Sequence, residues 1–211
     1  MVAQEDRLKS VLMSIKPKYC ELIAAGKKTI EVRKTRPNLQ PPFRCYIYCT
    51  LPKERFSIGQ GNYACSDNLY LCNNKIKFGD GFEDIGKETI SFNGKIIGEF
   101  VCDEIQEIVA DHLVALYFNN PSNETCITDL ELRRYANGKD LFLWHISNLV
   151  IYDEPKELRE FGQECNIDCP SVRCPYWKYQ RVNADEWDYD CSCNNIKPLK
   201  RPPQSWCYVE V

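Results

Sequence analysis

Four residues near the start of the chain have side chains suited to binding a phosphate or a nucleobase: Lys16, Lys28, Glu31 and Arg33. A lysine supplies a mobile positive charge for a phosphate, whereas the planar guanidinium of an arginine donates paired hydrogen bonds to a phosphate or a base edge. A glutamate accepts a hydrogen bond from an exocyclic amine, or it deprotonates water as a general base. These residue types therefore suit either a nucleotide-binding site or a hydrolytic one, and both remain open.

A strand, a helix and a second strand are predicted to position these side chains. The apolar run at residues 11–15 predicts the first strand. Pro17 is predicted to begin the helix, because proline is tolerated in the first turn, and Gly26 is predicted to end it as a C-terminal cap. The alternation of polar and apolar residues at 29–33 predicts the second strand.

The same alternation assigns the side chains of the second strand to two faces. Ile30 and Val32 are predicted to point inward, which leaves Glu31 and Arg33 together on the opposite face. Strict alternation turns Lys28 inward with Ile30, unless the turn after the helix is not yet extended. Exposed ion pairs contribute only about 0–1 kcal/mol, so stability alone explains a charged pair on this strand poorly.

Short strands separated by turn residues are predicted along most of the remaining chain. The stretch at about 52–93 contains several Gly, Asn and Asp turns and predicts hairpins and loops. A helix is predicted to begin at Thr128, which forms a capping-box pattern with Glu131. Further strands are predicted at residues 45–49, 95–102, 141–146 and 206–210. This pattern indicates an α+β, mainly β fold with two or three helices, in which a small barrel removes exposed sheet edges.

The residues after the first helix resemble the hallmark of the ASCH domain family. That hallmark is a Gly-x-Lys-x-x-Glu-x-Arg sequence, and Gly26, Lys28, Glu31 and Arg33 fill its four places. The resemblance implies a PUA-like (ASCH) barrel with a basic cleft that the motif lines. It also implies an RNA or nucleotide ligand, because members of the family are thought to bind these molecules.

Later segments extend the resemblance and suggest how the chain is organised. Residues 98–100, 144–146 and 154–158 fit the same family, and residues 201–210 resemble the tail of its phage and prophage members. The predicted units are an ASCH barrel at 1–161 with an insertion at about 52–93, a Cys-rich appendage at 162–200, and a final strand at 201–211 that returns to the barrel.

The resemblance also suggests a catalytic alternative. Some small ASCH proteins hydrolyse N4-acetylcytidine, and others are reported to cut RNA. Their hydrolytic group resembles a Lys, a Thr three residues later and a Glu on a distant strand. Lys28 and Glu99 fill the first and third places, whereas Glu31 stands at the place of the threonine. A carboxylate does not readily replace a hydroxyl as acyl acceptor, but it can activate water, so hydrolysis by Lys28, Glu31 and Glu99 requires an altered mechanism.

Five of the thirteen cysteines fall in one loop-rich stretch near the end of the chain. A segment this short cannot build its own core, so a closed structural zinc site with four thiolate ligands is predicted. An iron–sulfur cluster takes the same ligands, and thiols without a metal are the other alternative. No catalytic cofactor is predicted. The candidate ligands are Cys165, Cys169, Cys174 and one of Cys191 or Cys193.

Charge is distributed unevenly along the sequence. Residues 7–53 carry eleven Lys and Arg against two acids, whereas the net charge of the whole chain is −3. This segment predicts a positive surface for an anionic partner, although a solvated face without a partner is the alternative. No run approaches the roughly 18–20 apolar residues that cross a bilayer, and the first residues are polar. The predicted location is therefore the cytoplasm, without a membrane partner.

Three functions remain open from the sequence. They are binding of RNA or a nucleotide, hydrolysis of a modified nucleoside or of RNA, and, for a phage-derived protein, an acidic surface that engages a host protein. Catalysis by histidine is disfavoured because the chain has only two histidines. His145 lies in an apolar run and is predicted to be a hydrogen-bonded core residue.

Overall fold

The computed structural model describes residues 10–51, 56–59, 62–64, 68–72, 75–79, 89–110, 122–164, 177–183, 186–191 and 196–210. Strands predominate. In chain order they are β1 (Ser10–Ile15), β2 (Ile30–Arg33), β3 (Phe43–Cys49), β4 (Phe56–Gly59), β5 (Asn62–Ala64), β6 (Asn68–Cys72), β7 (Lys75–Gly79), β8 (Thr89–Ser91), β9 (Ile96–Cys102), β10 (Ile105–Ile108), β11 (Leu141–His145), β12 (Ser147–Lys156), β13 (Gly162–Glu164), β14 (Trp177–Asn183), β15 (Glu186–Cys191), β16 (Ile196–Pro198) and β17 (Trp206–Val209). The helices are α1 (Pro17–Ala24), α2 (Ser122–Thr125), α3 (Asp129–Ala136) and a 3-10 turn at Leu158–Glu160.

A five-stranded sheet forms the centre of the structure, in the order β12-β9-β3-β1-β17. β1 pairs in parallel with β3, and the chain passes through α1 and β2 between these two strands. β17, from the end of the chain, pairs antiparallel with β1. The first and last strands are therefore neighbours.

A three-stranded sheet, β10-β11-β2, carries the residues of the ASCH-like motif. Ile30 and Val32 lie on one face and pack in a cluster with Leu132 and Ala136 of α3. The predicted inward orientation of these two side chains agrees with this packing. α3 begins at the predicted capping box of Thr128 and Glu131, and β2 is the edge strand of this sheet among the described residues.

Trp144 joins the two sheets. Its side chain is fully buried in the largest apolar cluster, together with residues of β1 and β3, and its ring meets Phe43 edge-to-face at 5.6 Å between centroids. Within the described part of the chain, however, the strands form separate packed sheets, and no closed barrel is detected. Closing the expected barrel would require backbone hydrogen bonds between strands of the two sheets. In the described residues, packed side chains join the sheets instead.

Short antiparallel pairings occupy the predicted hairpin region and the end of the chain. β4 pairs with β5, and β6 lies between β7 and β8. β14 pairs with β15, and β13 pairs with β16. β12 pairs with β9 rather than with β11. No helix in the described part of the chain is long and apolar enough to cross a membrane.

The zinc prediction falls largely outside the described residues. Cys191 is the last residue of β15, and the other candidate ligands, Cys165, Cys169, Cys174 and Cys193, lie outside the description. Among the residues that the structure describes, no three His, Cys, Asp or Glu side chains are grouped to hold a metal ion. The zinc site therefore stays a prediction.

Gly98 lies where β9 packs closely against β12. A Cβ atom at this position would lie 2.3 Å from the carbonyl oxygen of Val150, so the glycine allows the two backbones to approach. Overpacking of this kind costs about 1–3 kcal/mol. We expect Gly98→Ala to lower the free energy of unfolding by this amount, measured by urea denaturation. Val150→Thr, at a side chain that is 51% exposed, is the control and should change it by less than about 0.5 kcal/mol.

Candidate functional site

Lys28, Glu31 and Arg33 converge along β2 and form an ion cluster. The Nζ atom of Lys28 lies 3.3 Å from Oε2 of Glu31, and a terminal nitrogen of Arg33 lies 3.0 Å from Oε1 of the same carboxylate. The three residues are only 1%, 7% and 6% exposed. The motif residues therefore meet, as the strand parity predicts for Glu31 and Arg33, but they meet below the surface.

Lys28 reaches this carboxylate from a turn rather than from the strand. β2 begins at Ile30, so the alternation of the strand does not yet govern Lys28. Its ammonium group donates to the carbonyl oxygens of Ile30, at 2.8 Å, and of Thr125, at 2.6 Å. The lysine thereby links the start of β2 to the end of α2, and its charge faces Glu31 from the side of the turn.

Arg33 connects β2 to the end of β1 and to the segment before β17. One terminal nitrogen donates to the carbonyl oxygen of Ser14 at 2.9 Å. The other lies 3.3 Å from both the carbonyl oxygen and the hydroxyl of Ser205. The guanidinium therefore holds three chain segments together with its two terminal nitrogens.

Two buried N–H groups beside the cluster have no acceptor among the described residues. They are Nε of Arg33 and Nε1 of Trp144. The register of β2 and β11 places Trp144 directly opposite Glu31, so Arg33 and Trp144 lie on the same face as diagonal neighbours. A buried donor without a partner costs about 1–3 kcal/mol, so these two groups lower the stability of the face on which they lie.

Two tyrosines lie near Glu31. Burial raises the pKa of Tyr19, and the carboxylates of Glu131 and Glu31 add to this effect. Burial also raises the pKa of Tyr135, where Arg33 opposes and Glu31 supports the shift. Tyr19 on α1 contacts the ammonium group of Lys28, and Tyr135 on α3 contacts that of Lys34, the residue after Arg33, so each helix places one aromatic ring near the ion cluster.

The other predicted site residues lie apart from the cluster. Lys16 is exposed just before α1. Glu99 lies opposite Tyr46 in the register of β3 and β9, on the face of the five-stranded sheet that points away from Trp144. There it accepts a hydrogen bond from the hydroxyl of Tyr152 at 2.5 Å and lies 3.5 Å from Arg44. The structure does not bring Glu99 together with Lys28 and Glu31.

Several partners of the cluster carry no signal in the sequence. Thr125 and Ser205 contribute carbonyl oxygens, which every residue has, from 97 positions after Lys28 and 172 positions after Arg33. Tyr19 has the helical spacing of a core residue. Tyr135 follows two arginines in α3, and this pairing of an aromatic with cations is the one sequence pattern here that is typical of a binding surface.

The three residues of the ion cluster lie within a segment that matches a known family. Residues 13–57 match the ASCH domain. The match includes Lys28, Glu31 and Arg33 and supports the ASCH resemblance of this segment, but it covers less than half of the chain. No curated protein matches the chain.

Solved structures of ASCH from Zymomonas mobilis are similar to the chain at low identity. One mutant has a TM-score of 0.46 and 16% identity, covering 95% of this chain and 89% of its own. A second mutant has a TM-score of 0.43 and 15% identity, with 96% and 89% covered. The unmutated protein has a TM-score of 0.43 and 16% identity, with 96% and 88% covered. These scores are too low to transfer the role of any residue.

The ion cluster should be sensitive to loss of its carboxylate. Glu31→Gln leaves two buried cations without a counter-charge, and breaking a buried pair costs about 3–5 kcal/mol. We expect a loss of this size in the free energy of unfolding, measured by urea denaturation. Arg44→Gln is the control, because its side chain is 55% exposed, and it should cost at most about 1 kcal/mol. Equal effects of the two substitutions would contradict the burial of the cluster.

His145 differs from its predicted place in the core. Its side chain is 44% exposed, and Nδ1 lies 2.6 Å from Oδ1 of Asp103. This hydrogen bond is the main cause of a lowered pKa of Asp103, with a smaller contribution from Ser147. The predicted hydrogen bond is present, but it lies at the surface, where Asp103 and Glu104 are exposed.

The Asp103 carboxylate should therefore contribute to stability in a defined direction with pH. Because the pKa is lower in the folded state, the contribution is present above the ordinary aspartate pKa and is lost as the pH falls through the lowered value. We expect His145→Gln to raise the pKa of Asp103 toward its ordinary value, measured by NMR titration of the carboxyl carbon. Ser147→Ala should raise it less, and an unchanged pKa in the His145 variant would exclude the histidine as the cause.

Proposed function

We propose that this chain binds RNA or a nucleotide at the edge of β2, beside the Lys28–Glu31–Arg33 ion cluster. The observation that carries the proposal is the net positive charge of this buried cluster, in which two cations share one carboxylate at β2, an edge strand among the described residues. The two terminal nitrogens of Arg33 are engaged by Glu31, Ser14 and Ser205, which fixes the plane of its guanidinium. The positive charge is therefore held in one place beside the β2 edge, which favours a ligand phosphate there.

The energetic cost of the cluster supports a role beyond stability. Desolvation of buried charges costs several kcal/mol per ion, and well-packed apolar residues of similar size are often as stabilising as a buried ion pair. The cluster contains two cations and one carboxylate, so it retains a net positive charge below the surface. This excess charge favours an anionic ligand.

The surroundings of the cluster support the same class of ligand. Lys16 and Lys18 are exposed at the start of α1, and Lys34 follows β2 directly. Residues 7–53 as a whole carry eleven basic and two acidic residues. A positive surface of this kind attracts phosphate groups at long range and makes binding dependent on salt. The RNA-binding activity that the ASCH resemblance implies is consistent with this arrangement.

Other expectations from the sequence keep their standing as predictions. The hydrolase alternative required Lys28, Glu31 and Glu99 in one site, and the position of Glu99 across the sheet gives it no support. A phage origin, a host-protein partner and a cytoplasmic location also stay predictions.

Binding to a single-stranded RNA at low salt tests the proposal. We expect measurable affinity by fluorescence anisotropy, with log K falling by about 0.7 per phosphate contact for each tenfold rise in salt. Arg33→Lys should lower the affinity at least about tenfold, because a lysine keeps the charge but loses the planar, fixed donors.

Lys197→Gln is the matched control, since this exposed lysine lies in β16, outside the basic segment. It should leave the affinity within about twofold, as expected for a remote surface charge. Thermal unfolding of each variant shows whether the fold is kept. Absence of any affinity of the unsubstituted protein for RNA and for mononucleotides at low salt would overturn the proposed function.

A further inference from the structure

We infer that the ligand of the β2 edge is a single-stranded oligonucleotide rather than a lone nucleotide, held by two tyrosine–lysine pairs on either side of Glu31. This inference rests on the proposed function and specifies the partner of the same site. The first pair is Tyr19 with Lys18 on α1, and the second is Tyr135 on α3 with Lys34 after β2. Each pair offers one ring for a base and one ammonium group for the adjoining phosphate.

The geometry of the two pairs is similar. The Nζ atom of Lys18 lies 5.7 Å from the centroid of the Tyr19 ring, and the Nζ atom of Lys34 lies 4.9 Å from that of Tyr135. Tyr135 is 39% exposed, and Tyr19 is partly exposed. Lys28, which lies over the Tyr19 ring, pairs with Glu31, and Lys34, which lies over the Tyr135 ring, directly follows Arg33, the other partner of Glu31. The two pairs therefore flank one site rather than two distant ones.

A base can replace the lysine over each ring at little cost. An exposed cation–π contact corresponds to a factor of about 2–5 in an equilibrium constant, whereas a base stacked on an aromatic ring corresponds to about 5–150. Exchange therefore favours the base. The displaced ammonium group remains tethered beside the ring, where it can bind a phosphate. Stacking of this kind requires unpaired bases, which selects a single strand over a duplex.

Tyr19 also covers the ion cluster. The Nζ atom of Lys28 lies 5.2 Å from the centroid of its ring. A base that replaces Lys18 over this ring therefore lies close to the buried cluster, and the following nucleotide extends along β2 toward Lys34. The second ring belongs to another helix, α3, so one nucleotide is expected to engage one pair and an oligonucleotide both.

Glu131 is the charged group that opposes this inference. It lies one helical turn before Tyr135, and its charge acts on Tyr19. Its side chain accepts hydrogen bonds from the backbone and hydroxyl of Thr128, at 3.0 and 2.8 Å, which fixes it at the start of α3. The capping box explains its presence, and its negative charge is expected to weaken the binding of a phosphate chain.

The test compares an oligonucleotide with a mononucleotide on the full chain. The probes are a labelled oligouridylate of about ten nucleotides, within the usual site size of single-strand binders, its DNA counterpart, and uridine monophosphate as competitor. We expect the oligonucleotide to bind at least about tenfold more tightly than the monophosphate. Tyr135→Leu should weaken oligonucleotide binding about 5- to 150-fold and leave the affinity for the monophosphate unchanged.

Matched variants separate stacking from folding and from charge. Tyr135→Phe keeps the ring and should bind like the unsubstituted protein. Lys34→Gln should weaken binding, whereas Lys139→Gln, at an exposed lysine beyond α3, should not. Glu131→Gln keeps a capping side chain and should tighten binding. Tyr19→Leu should resemble Tyr135→Leu, and if it does not fold, the Tyr135 and Lys34 variants still decide.

The outcomes distinguish this inference from the proposed function. If the monophosphate binds as tightly as the oligonucleotide, or if Tyr135→Leu binds oligonucleotides normally while Arg33→Lys does not, the inference is wrong and the proposed function stands. If neither probe binds, both are wrong. Equal affinity for RNA and DNA supports the inference, because stacking and phosphate contacts do not read the 2′-hydroxyl, whereas binding of RNA alone supports it with an additional contact to the sugar.

Discussion

The buried carboxylate of Glu31 is the interaction on which the rest of the site depends. It receives Lys28 on one oxygen and Arg33 on the other, and these two cations in turn bind carbonyl oxygens of α2, of β1 and of the segment before β17. One side chain thus neutralises two charges that each anchor a separate part of the chain. Without it, the cations would face each other inside the protein, and each would retain a desolvation cost that no partner offsets.

The two sheets make this burial possible. β2 lies at an edge, with its apolar residues against α3 and its charged residues toward the five-stranded sheet. Trp144, opposite Glu31 in the register, fills the space between the sheets. Because the strand presents both an apolar and a charged face to the interior, its amphipathic pattern does not separate core from solvent as it does in a strand with one wet face.

The sequence predicts the local parts of this arrangement and misses the distant ones. The face shared by Ile30 and Val32, the start of α1 at Pro17 and the capping box at Thr128 follow from spacing alone, and the structure has all of them. Burial of the ion cluster does not follow from spacing, because it depends on Thr125 and Ser205, whose carbonyl oxygens are indistinguishable from any others in the sequence. The closed barrel was predicted from the number of short strands. Closure depends instead on which strands pair, as β12 does with β9, and the sequence pattern does not show this pairing.

The contrast between buried and exposed residues also affects how the ASCH-like motif is interpreted. Its three charged residues are fixed by contacts with one another and with the backbone, and little of their surface is open to solvent. Residues outside the motif, in α1, in α3 and directly after β2, have the more exposed rings and ammonium groups beside it. In the proposed function, therefore, the motif supplies a fixed positive charge, while the flanking residues determine the length and the bases of the ligand. On this proposal, a chain that keeps the motif and changes the flanking tyrosines would retain the anchor and alter its specificity.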